Sequence, residues 1–518
     1  MKARDHQSGF ALLVFVIVLL GIAGVFGSNL IQGRAKTVQF EKAQHDQEVL
    51  QKAKQALLAY AVQYKIDNDS SEMGRLPCPD YNTGASEGAQ DGSCGGESKN
   101  IAGFLPWKTL GIDALKDSSG ECLWYVVSGD YKDSPKADML NEDTNGLLKV
   151  QGESGLYHGG DASDRPIALI IAPGPALDGQ NRTPSSSNLK NCRGKYGDEE
   201  AYLEGGSIDY SVDHVDVADA IWTYFYGNLS NSLKNTGYND RMVWITKSEY
   251  WNAIKAQADL DAADPAKDIN LLTAALAQCL VNYANDSNNE HRWLPWPASI
   301  DMSEYRTDNL YQDLDDPSDL MGRFPADITH SNDKEDDETS TPITLFSNLA
   351  DILSDPDCLP SSGPPPTPTY SEKKLWQNWK DHFFYVVSED FKMDGSSSVL
   401  SSRCGSVGDC VTVDEMTSGH KVAGIVFYAN SVVNSQIRDA EPVDSDKKND
   451  LSNYLDSRSA GESNAHQYPN DSTYQGASGD VNKYYSDIST AGSGTADLAY
   501  CIVVDPFTPA YLMVSDCN

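Results

Sequence analysis

Residues 141–146, Asn-Glu-Asp-Thr-Asn-Gly, set oxygen-bearing side chains at alternate positions ahead of a glycine. Calcium loops are built this way, because a hard cation needs several oxygens and the glycine lets the chain turn tightly around it. Asn141, Asp143 and Asn145 are the candidate ligands. The pattern is incomplete, since Lys149 stands where a further ligand belongs and Glu153 falls one residue beyond the place of the closing carboxylate. A solvated Asx turn accounts for the same residues. No cofactor is expected, calcium at these three residues being the one exception the pattern leaves open.

The search for catalytic patterns is negative. The chain has no GxSxG, HExxH, Walker loop or GxGxxG. His158-Gly-Gly-Asp161 resembles an oxyanion loop only faintly, and no nucleophile elbow accompanies it, so a turn is the expectation there. With 76 Asp and Glu residues, some carboxylate pair will always be spaced for acid–base work, and choosing one would carry no information.

The ten cysteines carry more. Cys78, Cys94, Cys122 and Cys192 lie in the first half, and Cys279, Cys358, Cys404, Cys410, Cys501 and Cys517 in the second. Even counts in each half suit disulfides within each half and an oxidising compartment. No CxxC is present and none of the nine histidines sits at zinc-ligand spacing from a cysteine pair, so no zinc site is expected. Cys404–Cys410 and Cys501–Cys517 are candidate local pairs, although sequence does not fix connectivity.

Composition is that of a globular chain: 518 residues, 22% charged and 40% hydrophobic. The net charge of −36 disfavours attraction of the head as a whole to nucleic acid or anionic lipid.

Two stretches must position everything else. Phe10 to Gly27 is uncharged and apolar, about 27 Å long as a helix, which is close to the hydrocarbon thickness of a bilayer. Lys2 and Arg4 precede it, which keeps that end in the cytoplasm. From residue 32 to Tyr64 the chain has no proline. Its less polar residues (Phe40, Ala43, Val49/Leu50, Ala53, Leu57, Tyr60/Ala61, Tyr64) recur at three- and four-residue steps, predicting one amphipathic helix. The two runs together read as a single helix of residues 10–64.

Gly9-Phe10 after a basic leader, the apolar run to Gly27 and the amphipathic continuation to Tyr64 resemble the N-terminus of the type IV pilin and pseudopilin superfamily. The resemblance covers about the first 65 residues. It implies cleavage between Gly9 and Phe10 by a prepilin peptidase, methylation of Phe10, and partnership with other pilins through the helix. It also implies residence in the inner membrane before assembly into a cell-surface or periplasmic filament. Most mature pilins carry Glu at their fifth residue, where this chain has Val14. Within the family that absence accompanies minor or tip subunits.

Beyond residue 64 the chain echoes itself. Residues 56–80 and 275–298 each run from an Ala/Leu-rich helical end through a polar loop to Leu-Pro-x-Pro. Cys122-Leu-Trp-Tyr-Val-Val-Ser is answered by His382-Phe-Phe-Tyr-Val-Val-Ser. Pro166–Ala172, leading to Asp178-Gly-Gln-Asn-Arg182, is answered by Val422–Tyr428, leading to Asn434-Ser-Gln-Ile-Arg438. Three matches in the same order predict a duplication.

The expected fold class is α+β: a long N-terminal pilin-like helix carrying a head of two related helix-plus-antiparallel-sheet units. The expected domains are a leader at 1–9, the helix at 10–64 with its transmembrane half at 10–27, a first unit at 65–255 and a second at 256–518. Trp251–Asp268 reads as a helical connector. Residues 301–369 read as an acidic, Pro-rich insertion, and 457–495 as surface loops whose tyrosines serve recognition or cover their own domain.

The expected function is non-enzymatic: a minor or tip subunit of a type IV pilus or secretion-like filament, its extracytoplasmic head contacting a surface or protein ligand. The alternative is a membrane-tethered extracellular hydrolase that uses the helix as an anchor.

Overall fold

A computed structural model describes residues 37–64, 74–81, 86–137, 139–152, 155–183, 191–192, 199–203, 218–226, 238–257, 268–286, 289, 291–307, 310–314, 320–328, 358, 372–393, 399–404, 410–413, 421–432, 436–438, 447–459, 462–465, 483–484, 497–505, 510–515 and 517. The first described element is helix α1, residues 37–64. Leu50, Ala53, Leu57, Ala61 and Tyr64 form its buried stripe, the three- and four-residue spacing of one helical face. Phe40, assigned to that stripe from sequence, is instead 69% exposed, and Val38 is 49% exposed.

The expected fold class does not stand as written. Among the described residues no helix is long and apolar enough to cross a membrane. The described helix of the first unit is the amphipathic run 37–64, whose apolar stripe packs on the sheet and whose polar outer face suits water rather than lipid. The apolar run 10–27, with Gly9, Phe10 and Val14, lies outside the described residues.

The head is built on two antiparallel sheets. The first has strand order β1-β2-β5-β7, from β1 (Ile101–Phe104), β2 (Trp124–Val127), β5 (Pro166–Ala172) and β7 (Arg241–Thr246). Its alternating side chains divide between two cores. Tyr125, Val127, Ala168, Ile170 and Ile245 face the core that α1 shares, and Trp124, Val126, Leu169, Ile171 and Met242 face a second one. A small sheet shares that second core: β3 (Leu148–Gly152) between β4 (Gly155–His158) and β6 (Trp222–Tyr226).

The second large sheet has order β16-β15-β11-β9-β8, from β8 (Met321–Arg323), β9 (Phe383–Val387), β11 (Lys421–Tyr428), β15 (Leu498–Val504) and β16 (Tyr511–Ser515). Two minor pairings complete the described strands: β10 (Thr412–Val413) with β14 (Lys483–Tyr484), and β12 (Ser457–Ser459) with β13 (Glu462–Ser463). Of the remaining helices, α2 (Lys247–Gln257) follows β7, α3 (Asp268–Asn285) packs on β11, β15 and β16, and α4 (Glu372–Trp379) precedes β9.

Several bonds recur at equivalent points of the two halves. Leu76 N–H donates to Tyr131 O and Leu294 N–H to Phe391 O, both at 2.8 Å. Asp80 and Phe104 exchange backbone bonds as Ala298 and Arg323 do. Ser128 Oγ accepts from Leu147 N–H, and Ser388 Oγ from Val411 N–H. Gly103 and Gly322 sit at the equivalent close approach, where a Cβ would lie 2.9 Å from Asp80 O and 2.0 Å from Ala298 O. Arg182 and Arg438 repeat one anchor: each bonds Gln two residues before it at 2.8 Å, bonds the carbonyl of a tyrosine (Tyr202, Tyr454), and lies 4.8 Å from that ring's centroid.

The units nonetheless share one continuous core. The boundary expected near residue 255 falls inside α2, whose Tyr250 meets Tyr131 edge-on at 5.1 Å and whose Trp251 meets Trp379 at 6.1 Å. The insertion expected at 301–369 is also part core. Tyr305, Tyr311, Met321 and Phe324 are buried, and β8 supplies a sheet edge, because these apolar residues are scattered among acidic ones that mask them in composition. Tyr484, grouped with recognition tyrosines, is buried against Phe427 at 5.7 Å; Tyr468, Tyr474 and Tyr485 lie outside the described residues.

All ten cysteines pair: Cys78–Cys94, Cys122–Cys192, Cys279–Cys358, Cys404–Cys410 and Cys501–Cys517, each bridge within one half. Five disulfides mark an extracellular or periplasmic protein. The Cys78–Cys94 bridge closes a loop of sequence separation 16, so replacing both residues with Ser should cost about 3 kcal/mol. Urea unfolding of the double variant, compared with the parent under oxidising conditions, checks this.

Candidate functional site: a buried charge cluster between the repeats

The two units meet at a seam where ionisable side chains are buried together. From the first unit comes Asp143, held by a local turn. Asn141 Oδ1 accepts Asp143 N–H at 2.9 Å, and Asn141 O accepts Thr144 N–H at 3.1 Å. This is the Asx turn that the sequence allows, but it is buried rather than solvated. Asn141 Nδ2 reaches across the seam to Asn378 O at 2.8 Å and Asp381 Oδ1 at 2.9 Å, while Leu140 N–H donates to Asn378 Oδ1.

From the second unit come Asp381 and His382, on the short 3-10 turn Lys380–His382 between α4 and β9. His382 Nδ1 lies 2.9 Å from Ala429 O; a carbonyl only accepts, so Nδ1 carries the hydrogen. Tyr428 stacks on the ring and Tyr454 meets it edge-on. His382 Nε2 then faces Asp143 Oδ2 at 3.1 Å, both side chains being 2% exposed. The angle is too poor for a hydrogen bond, so Nε2 and both Asp143 oxygens are buried without one. Lys448 Nζ pairs with Asp381 Oδ2, and Arg323 donates to the carbonyls of Asp381 and Lys448 while packed against Tyr305, Phe384 and Tyr454.

The electrostatics follow from these neighbours. Burial alone would raise Asp143, but His382, Arg438 and Lys448 outweigh it and hold the carboxyl well below the usual range. Burial likewise opposes ionisation of Asp381, and Lys448 and His382 overcome it, so it too is lowered. Burial would depress Lys448, yet Asp381 raises it above the ordinary lysine value. The cluster is charged and mutually neutralising.

Two cavities flank Asp143. One, of about 190 Å³, is lined by Asp130, Asn141, Arg165, Glu304 and Lys448 among others. The other, of about 620 Å³, is lined by Glu142, Trp251, Lys255, Arg438 and Lys447 among others. Both draw on both units, and at the second Lys255 Nζ bonds Glu142 Oε2 at 2.6 Å and Ser431 Oγ at 2.7 Å.

The oxygens of a calcium loop are not gathered here. Asn141 Oδ1 is taken by Asp143 N–H, and Asn145 Oδ1 accepts from Lys247 Nζ at 3.0 Å. Of the three candidate ligands only Asp143 turns its oxygens into the cluster. His158 pairs instead with Asp164 at 2.9 Å on a half-exposed turn. Asp381, His382 and Lys448 carry no motif. The signal that marks them is divergence between the copies, for His382 stands where the first copy has the disulfide cysteine Cys122.

Chemically, the Asp143–His382 pair is the reverse of a hydrolytic triad, in which the carboxylate holds Nδ1 and Nε2 faces a nucleophile. Here Nδ1 is committed to backbone and Nε2 faces the carboxylate. Among the described residues no Ser, Thr or Cys is hydrogen-bonded to the ring. Compared with known proteins, the chain matches no family model, no curated protein and no solved structure.

Proposed function

We propose that the chain is a non-enzymatic interaction subunit of a pilin-class filament, a minor or tip component whose two-unit head contacts a surface or a protein ligand. The observation that carries this reading is α1. It lays one face on the first sheet while Val38 and Phe40, in its opening turn, stay uncovered, leaving apolar surface for neighbouring subunits. The basic leader, Gly9-Phe10 and the apolar residues to Gly27 supply the processing and assembly signals. The seam cluster joins Asp143 of one unit to Asp381 and His382 of the other and serves to fix the units together, as an interaction subunit requires. The inner membrane is then the site of assembly, and prepilin peptidase and other pilins are the partners.

Intact-mass analysis of protein from cells with and without prepilin peptidase tests the reading. The expected mature N-terminus is Phe10, present only with the peptidase; one beyond residue 23 means ordinary signal cleavage and ends the proposal. Val14 gives a second test. A capping subunit has no neighbour whose terminal ammonium its fifth residue must neutralise, and a lone carboxylate in apolar surroundings costs several kcal/mol. Val14→Glu should therefore leave incorporation into sheared filaments unchanged or lower. Better incorporation, with head label spread along the shaft, would identify a shaft subunit.

A further inference from the structure

We infer that Asp143, Asp381 and His382 form a binding site for a borderline divalent cation of the zinc class, which ties the two repeats together. One ligand atom from each of the three residues lies within 4.8 Å of the others. His382 Nε2 is 3.1 Å from Asp143 Oδ2 and 3.9 Å from Asp381 Oδ1. An ion with bonds of about 2.1 Å to nitrogen and oxygen spans donors roughly 3–4 Å apart.

The surrounding bonds are those of a ligand set. Metal-binding imidazoles characteristically spend their other ring nitrogen on a carbonyl or carboxylate, which fixes the tautomer and aims the free lone pair. His382 does this through Ala429 O. Asn141 Nδ2 steadies Asp381 Oδ1, and Lys448 holds Asp381 Oδ2. What remains is Nε2 and both Asp143 oxygens, buried with no hydrogen bond. Leaving such buried groups unsatisfied is unfavourable. A proton on Nε2, paired with Asp143 Oδ2 at 3.1 Å, is the competing occupant. A cation between the three donors satisfies them together, and the 190 Å³ cavity that Asp143 lines has room for water to complete the coordination.

The donors select the ion. One imidazole and two carboxylates suit Zn²⁺, Co²⁺ or Mn²⁺, whereas Ca²⁺ wants six or more oxygens. Lys448 and Arg438 already offset the charges of Asp143 and Asp381, so a hard ion held by charge alone gains little. Because Asp143 belongs to the first repeat and the other two ligands to the second, the ion bridges the seam.

Full-length protein, stripped with chelator and dialysed, is titrated with Co²⁺ and followed by its visible spectrum. The expected result is one Co²⁺ per chain, displaced by Zn²⁺ and not by Ca²⁺, with one paramagnetically shifted imidazole N–H resonance from His382. Asp143→Asn and His382→Gln should each weaken binding at least tenfold, while Glu142→Gln, one residue from the site, should not. Absence of stoichiometric binding overturns the proposal, as does binding unchanged in both variants, which would place the ion on surface carboxylates. The parent's resonance decides the matter even if a variant fails to fold: Co²⁺ bound without a shifted imidazole N–H is Co²⁺ bound elsewhere.

Discussion

Asp381→Ala, measured in chelator, should lower the free energy of unfolding by about 3–5 kcal/mol. Asp381 is fully buried and accepts from Lys448 Nζ and Asn141 Nδ2. Removing it strands a buried ammonium and an amide that has crossed the seam to meet it. The loss is therefore dominated by desolvation left uncompensated, not by the strength of the pair. That account makes a second demand. Lys448→Met on the Asp381→Ala background removes the stranded charge and should restore much of the stability. Urea unfolding of the two single variants and the double completes the cycle. If the double variant is as unstable as the sum of the singles, the residues are not acting as a pair.

The second large effect is a dependence on pH set by Asp497. Its carboxyl is buried just before β15, and burial, followed by the charge of Asp456, pushes it up to about 8 from 3.8. Amide donors from Asn430 at 3.1 Å and Asp456 at 2.6 Å pull the other way without compensating fully. Between pH 4 and 8 the unfolded chain has lost this proton while the folded chain keeps it. Stability contributed by the neutral carboxyl is thus complete below about pH 4 and declines as pH rises to about 8, by on the order of 5 kcal/mol in total. Asp143 and Asp381 act in the opposite sense: their lowered values stabilise the fold above pH 4, and this is lost as the pH falls. Unfolding free energies at pH 5 and pH 8 should therefore decline for the parent and change much less for Asp497→Asn. Equal slopes in the two proteins would show that Asp497 ionises normally.

The amino-acid sequence alone determined the local elements and their order. The apolar stripe of α1 from Leu50 to Tyr64 is legible because its burial recurs at three- and four-residue steps, and β2, β5 and helix α3 because each is a compact apolar run buried along most or all of its length. The repeated Val-Val-Ser and Gln-x-Arg segments are legible for a related reason. Ser128 and Ser388, or Arg182 and Arg438, do one job at equivalent points of two sheets, and that job demands the same residue type.

Only the tertiary structure decided how the units meet. Asp143 and His382 are 239 residues apart in the chain and touch because two loops from different sheets converge, a fact no local period encodes. For the same reason Asn141, Asp143 and Asn145 look alike in sequence and diverge in space, one to the backbone, one to the cluster and one to Lys247. Phe40 shows the converse limit. Its spacing fits the buried stripe, but burial requires something to pack against, and the head does not reach it. Periodicity specifies which face of an element is apolar; what covers that face, and which charges end up sharing a dry interior, is set by long-range packing.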